Sequence, residues 1–120
     1  ISGVSHNAPI PLAVKKGNTL FSSTVMGRER DTRMVPEDPQ ERIDLAFQNI
    51  KDIVALAGGK PENIARIKVG IADGALREQV NVAWLKAFPD EATRPARGVS
   101  EAFIPDDALF ECDFVAVLDK

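Results

Sequence analysis

One histidine, one cysteine and no tyrosine in 120 residues leave this chain short of most reactive side chains. His6 and Cys112 fall below the three or four nitrogen and sulfur ligands of a zinc site, so no metal is expected. The same shortage removes a Ser-His-Asp or Cys-His machine unless His6, in an irregular N-terminal lead-in, is the base. A lone cysteine excludes a disulfide within the chain, which fits a reducing cytoplasm. There is no Gly-x-Gly-x-x-Gly or Walker-type loop. Gly58-Gly59-Lys60 lacks the preceding glycine and the following Ser or Thr, so no cofactor is expected. Acidic residues outnumber basic ones as well. With a net charge of -3 the chain lacks the concentrated cationic patch that phosphate binding needs, which disfavours nucleic acid as a partner. No apolar run approaches the ~20 residues that span a bilayer. Nor does a charged-then-apolar leader open the sequence. The expectation is a cytoplasmic protein without membrane contact.

What is present is ordinary for a single globular domain over residues 1–120, with 44% hydrophobic and 28% charged residues. Leu12 to Lys15, a Lys16-Gly17-Asn18 turn and Thr19 to Val25 predict a hairpin. Arg28, Arg30 and Arg33 then fall in a charged loop and read as solvated cations. A helix starts at Asp38, which suits the cap, with Pro39 in the first turn and Glu41 at capping-box spacing. Ile43, Ala46, Phe47, Ile50, Ile53, Val54 and Ala57 give it one apolar face, and Gly58-Gly59 ends it. Ile67, Val69 and Ile71 alternate with Arg66, Lys68 and Gly70, which predicts a strand buried on one side. A second helix after Asp73-Gly74 carries Leu76, Val80, Ala83, Trp84, Ala87 and Phe88 as its stripe, with Asn81 beside it.

Two strands close the chain, so the fold class is α+β with both helices on one face of the sheet. The other face carries one of the two alternating sets of the last strand, Phe110, Cys112, Phe114, Ala116 and Leu118 or their alternates. It needs a partner, and an oligomer is expected.

The last quarter holds the chemistry. Arg97 heads one strand and offers a rigid fork that holds a carboxylate through two parallel hydrogen bonds. Glu111 and Asp113, two apart in the next strand, share a face. Like charges at that spacing make one carboxyl group a readier proton carrier. A carboxylate clamp beside a proton-handling acid suggests hydrolysis or rearrangement of a small organic acid. If the two strands pair around a Pro105-Asp106-Asp107 corner, Glu111 lies opposite about Ala102. Arg97 is then roughly 16 Å further along at ~3.3 Å per residue. The two would share a substrate only through a bulge, a different pairing or a neighbouring subunit.

The order of these motifs resembles the reactive-intermediate deaminase family, the RidA or YjgF group also known as L-PSP endoribonucleases. Its carriers are Gly17-Asn18-Thr19-Leu20-Phe21 with Ser23 and Gly27, Asn49-Ile50, and Ala57-Gly58. Val80-Asn81 with Trp84 and Phe88, Pro95-Ala96-Arg97, and Pro105 with Glu111-Cys112-Asp113 complete it. The resemblance implies a chorismate-mutase-like homotrimer with sites in clefts between subunits. It also implies cofactor-free hydrolysis of reactive enamine or imine acids to keto acids and ammonium. Arg97 matches the family's carboxylate-binding arginine and Glu111 the glutamate that orients the attacking water. Asn81, Ser23 and Val99, the last standing where Cys is frequent, match positions near the cleft.

Three departures reshape the implied pocket. The usual N-terminal aromatic is absent, Ser23-Thr24-Val25 replaces Ser-Gly-Gln, and the span from Arg97 to Pro105 is one residue shorter than is common. A branch acting on an aminomuconate or aminoacrylate fits these as well as one acting on 2-iminopropanoate. Two other readings compete: an L-PSP-type endoribonuclease, and a non-catalytic, chaperone-like trimer that binds a small carboxylate-bearing ligand.

Overall fold

The structure, a computed structural model, describes residues 11–29, 32, 34–104 and 108–119. His6, Ile10, Arg30, Arg33 and the expected corner at 105–107 lie outside the described residues. Strand β1 (Ala13–Lys16) turns at Gly17-Asn18 into β2 (Thr19–Ser22). Gly17 has φ +61°, a left-handed conformation that a side chain resists. Helix α1 (Pro39–Leu56) follows, then β3 (Ile64–Ile71), α2 (Arg77–Ala87), β4 (Ala96–Glu101) and β5 (Phe110–Val117). The five strands form one mixed sheet in the order β1-β2-β5-β3-β4. Strand β5 lies antiparallel between β2 and β3, and β4 lies parallel to β3 at the edge.

Local chemistry accounts for the helices. The Asp38 carboxylate accepts from the Glu41 N–H at 3.2 Å and caps α1, with Pro39 in its first turn. Gly58, at φ +85°, lets the chain turn away after the last turn, and the Gly59 N–H closes back on the Val54 carbonyl at 2.9 Å. The apolar faces of α1 and α2 meet over one side of the sheet. Phe47 sits at the centre, in edge contact with Trp84 and Phe110 at ring-centroid distances of 5.8 Å each. Ile67, Val69 and Ile71 of β3 and Phe110, Cys112, Phe114 and Ala116 of β5 complete this core. Among the described residues no helix is long and apolar enough to cross a membrane.

The even-numbered set of β5 is therefore the covered one, and the open face receives the alternates Glu111, Asp113, Val115 and Val117. Its apolar part is a row across three strands. Val14 pairs with Phe21, and Phe21 with Val115. Val14 and Phe21 are 38% and 47% exposed, although both sit in regular strands.

Between β2 and α1 the backbone is held from inside. Asn49 is buried in α1, and its amide donates to the carbonyls of Met26 (3.0 Å) and Arg28 (2.8 Å). Gly27 between them lies against the Arg42 carbonyl, where a Cβ has no room. Asn49→Ala strands two carbonyls at once and should destabilise the fold by about 2–3 kcal/mol. Urea or thermal unfolding reads this loss directly. Of the loop arginines read as solvated, Arg28 is half-buried and rests its guanidinium on the Met26 sulfur.

Candidate functional site

Arg97 is placed by the edge strand and held by α2. The Arg94 Nε–H donates to the Phe88 carbonyl at 2.8 Å and fixes the entry to β4. Arg97 is the register partner of Ile67, whose side chain is wholly covered by the helices. Partners across a ladder share a face, so Arg97 projects toward the helix side and leans over α2. Its Nη2 donates to the Asn81 side-chain oxygen at 2.8 Å. Its guanidinium lies 5.0 Å from the centre of the Trp84 ring, a cation–π contact. Trp84 packs in turn on Phe47 and Phe88, so the aromatic core supports the guanidinium from below.

No described carboxylate pairs with Arg97. Partial burial, and then the charge of Arg77, lower its pKa, but a guanidinium keeps its proton. The result is a fixed, exposed cation with a second cation near it, an arrangement suited to an anion. Val99, two residues on, is the partner of Val69 and packs partly into the core.

Glu111 belongs to a different surface. Its register partner in β3 is Gly70, and Gly70 in turn faces Ser100 of β4. One step along the ladder, Lys68 stands between Asp113 and Gly98. These residues face away from the helices, because their neighbours Val69, Ile71 and Cys112 are buried beneath them. Glu111, Asp113, Lys68, Gly70 and Ser100, with Thr24 and Ala102, line a groove of about 190 Å³ on the open face. The carboxylates are not an isolated pair, since Lys68 is the direct cross-strand partner of Asp113.

The two halves do not meet within one chain. The final two strands do not pair with each other; of the arrangements left open by the sequence, a different pairing holds, with β3 between them. From the Glu111 row, Arg97 lies three residues along β4, roughly 10 Å, and two strand spacings across, about 9.6 Å. It also lies on the opposite face. Ser23 joins neither half. Its hydroxyl donates to the Pro11 carbonyl at 2.7 Å and tethers the lead-in, while its neighbour Thr24 reaches the groove. Asn81 is in direct contact with Arg97.

Lys68, Gly70, Ser100 and Trp84 were not assigned to the site from sequence. The alternation in β3 already set Lys68 and Gly70 on the face opposite Ile67, but nothing local linked that face to Glu111.

Cys112 is no nucleophile. Burial pushes its thiol pKa far up, and the charges of Asp113 and Glu111 add to the shift. Thiol reagents should therefore fail to label the folded protein at pH 8 and label it fully in denaturant.

With the geometry in place, comparison with known proteins gives the relationship. The model of the Endoribonuclease L-PSP family matches residues 6–118. The chain belongs to this family, the RidA/YjgF group. A RutC family protein of Aquifex aeolicus is 32% identical over 118 residues, spanning 92% of this chain and 93% of that protein. The 2-iminobutanoate/2-iminopropanoate deaminase of Dermatophagoides farinae is 25% identical over 116 residues, with 92% and 87% covered. A crystal structure of Escherichia coli TdcF with bound serine superposes with a TM-score of 0.87 at 26% identity, covering 96% of this chain and 92% of that one. The mixed five-stranded sheet with two helices is thus the architecture of this L-PSP family member and of its relatives alike.

Proposed function

We propose that this L-PSP family member hydrolyses small reactive enamine or imine carboxylic acids to keto acids and ammonium, without a cofactor. The working site is a cleft between chains of a homotrimer, where Arg97 of one protomer stands over the groove of the next. The observation that carries this reading is Arg97 itself. It is exposed, fixed by Asn81 and Trp84, and has no carboxylate partner among the described residues. Serine bound to TdcF and the imino acids named for the mite relative are small molecules carrying one carboxylate, the anion this fork suits.

Three features support association. Val14, Phe21 and Val115 form an apolar row on the open face. Strand β4 is a sheet edge, with main-chain groups free to pair. The separation of Arg97 from Glu111 leaves each protomer with two unmatched half-sites.

The chemistry asks little of the protein. An imine carbon is already electrophilic, so positioning and one proton carrier suffice. Arg97 holds the carboxylate. Glu111 accepts a proton from water as the oxygen bonds to the imine carbon. It returns that proton to nitrogen, giving a carbinolamine, and then relays the carbinolamine's hydroxyl proton to nitrogen as the C=O bond forms and the C–N bond breaks, leaving the keto acid and ammonia, which takes up a proton in solution. An enamine first gains a proton at carbon and then follows the same path.

Imines generated in place by an amino-acid oxidase provide the test. The protein should release ammonium well above the spontaneous rate, and sedimentation should give three times the 13.0 kDa chain mass. Ammonium at the spontaneous rate, or a monomer at assay concentration, would remove the proposal.

A further inference from the structure

Gly70 is a glycine in the middle of a central strand, where glycine costs about 0.5–1 kcal/mol relative to alanine. Its backbone does not need the freedom, since its φ is not in the left-handed region. Nor does close packing forbid a side chain. A Cβ there would meet the Ala102 Cβ and the Glu111 Cγ at 3.6 Å each, ordinary contact distance. The missing side chain instead leaves the floor of the groove bare between Ser100 and Glu111. A second glycine, Gly98, flanks Lys68 on its other side, and nothing lies within 4 Å of where its Cβ would stand. The groove thus runs from Glu111 over bare backbone to Lys68 and Asp113. That end presents ammonium donors beside carboxylate acceptors, a pair that matches the oxygen and the NH2 of a primary amide. A second carboxylate would meet the Asp113 carboxylate as well as the Lys68 amine there, like charge beside opposite charge.

We propose that this groove, opened by Gly70, takes the part of the substrate beyond the imine carbon, and that its Lys68–Asp113 end selects a chain tipped by a primary amide. The inference rests on the deaminase reading for its chemistry and on the groove alone for its selectivity. The imine of glutamine is then used in preference to the imines of alanine and of glutamate.

The test compares ammonium release from the glutamine and alanine imines in the parent chain and in Gly70→Val, Gly70→Ala and Lys68→Ala. The ratio of kcat/KM for glutamine over alanine imine should fall about tenfold or more in Gly70→Val, the scale of a lost pocket contact. It should fall less in Gly70→Ala and Lys68→Ala. A ratio that stays constant, or equal losses on both imines, overturns the groove assignment. Should Gly70→Val fail to fold, the two milder variants carry the comparison. If the parent chain turns over neither imine, the deaminase reading fails by itself. Calorimetric titration with 2-oxoglutaramate and pyruvate then decides the groove. Tighter binding of the amide acid that Gly70→Val abolishes upholds it, and equal binding of the two overturns it.

Discussion

Arg97→Ala should reduce kcat/KM for imine hydrolysis on the order of 100- to 10,000-fold while leaving the fold intact. In the proposed role the fork would make two charge-assisted hydrogen bonds to the substrate carboxylate, each worth about 1.5–3 kcal/mol, and alanine would make neither. Stability changes little by comparison. Arg97 is an exposed residue on an edge strand, and its stacking on Trp84 contributes about 0.5–1 kcal/mol. Steady-state kinetics and a melting curve on the same preparation separate the two quantities. Arg97→Lys sharpens the result, because it keeps the charge and loses the planar fork. An activity loss of about tenfold or more in the lysine variant assigns the effect to geometry. Full activity in Arg97→Ala would place the carboxylate elsewhere, with Arg77 the next cation to examine.

The helices, the hairpin and the apolar stripes were legible in the sequence because each follows from spacing within a dozen residues. Asp38 caps where a cap was expected, and Ile43 through Val54 bury as their three-and-four spacing requires. In β5 the alternation was plain but its sense was open. Phe110, Cys112, Phe114 and Ala116 went under the helices, because Phe110 is needed against Phe47. The pairing of β4 and β5 was open for a different reason. A short connection suggests a hairpin, yet β3 offers two bare edges with Val69 and Ile71 to bury, and both strands pair with it instead.

Register between distant strands also determines which side chains share a face. That is why Lys68 beside Asp113, and Arg97 on the helix side, were not visible in the motif order. Residue type and spacing made Arg97 and the Glu111–Asp113 pair candidates, the family resemblance gave Arg97 and Glu111 their expected roles, and their placement on opposite faces came only with the sheet.

Glu111→Gln should lower kcat by about 100- to 10,000-fold, the range associated with a positioned proton carrier, and leave KM nearly unchanged. Glutamine fills the same half-buried space beside Gly70, and no described residue donates a hydrogen bond to the Glu111 carboxylate, so the sheet has no reason to shift. What glutamine cannot do is take a proton from water. Asp113→Asn provides the internal comparison. Asp113 lies on the same face, but Lys68 is its direct neighbour and Glu111 is the one set over bare backbone. The asparagine variant should therefore lose much less in kcat. A reversal of the two effects would move the proton carrier to Asp113, and equal small effects would mean that neither carboxylate handles the proton. Because Glu111 is the half of the site with the least support from its own chain, this comparison bears hardest on the cleft. In the proposed cleft each half-site needs a second protomer's arginine, so mixing Arg97→Ala with Glu111→Gln chains should restore part of the activity that each lacks alone.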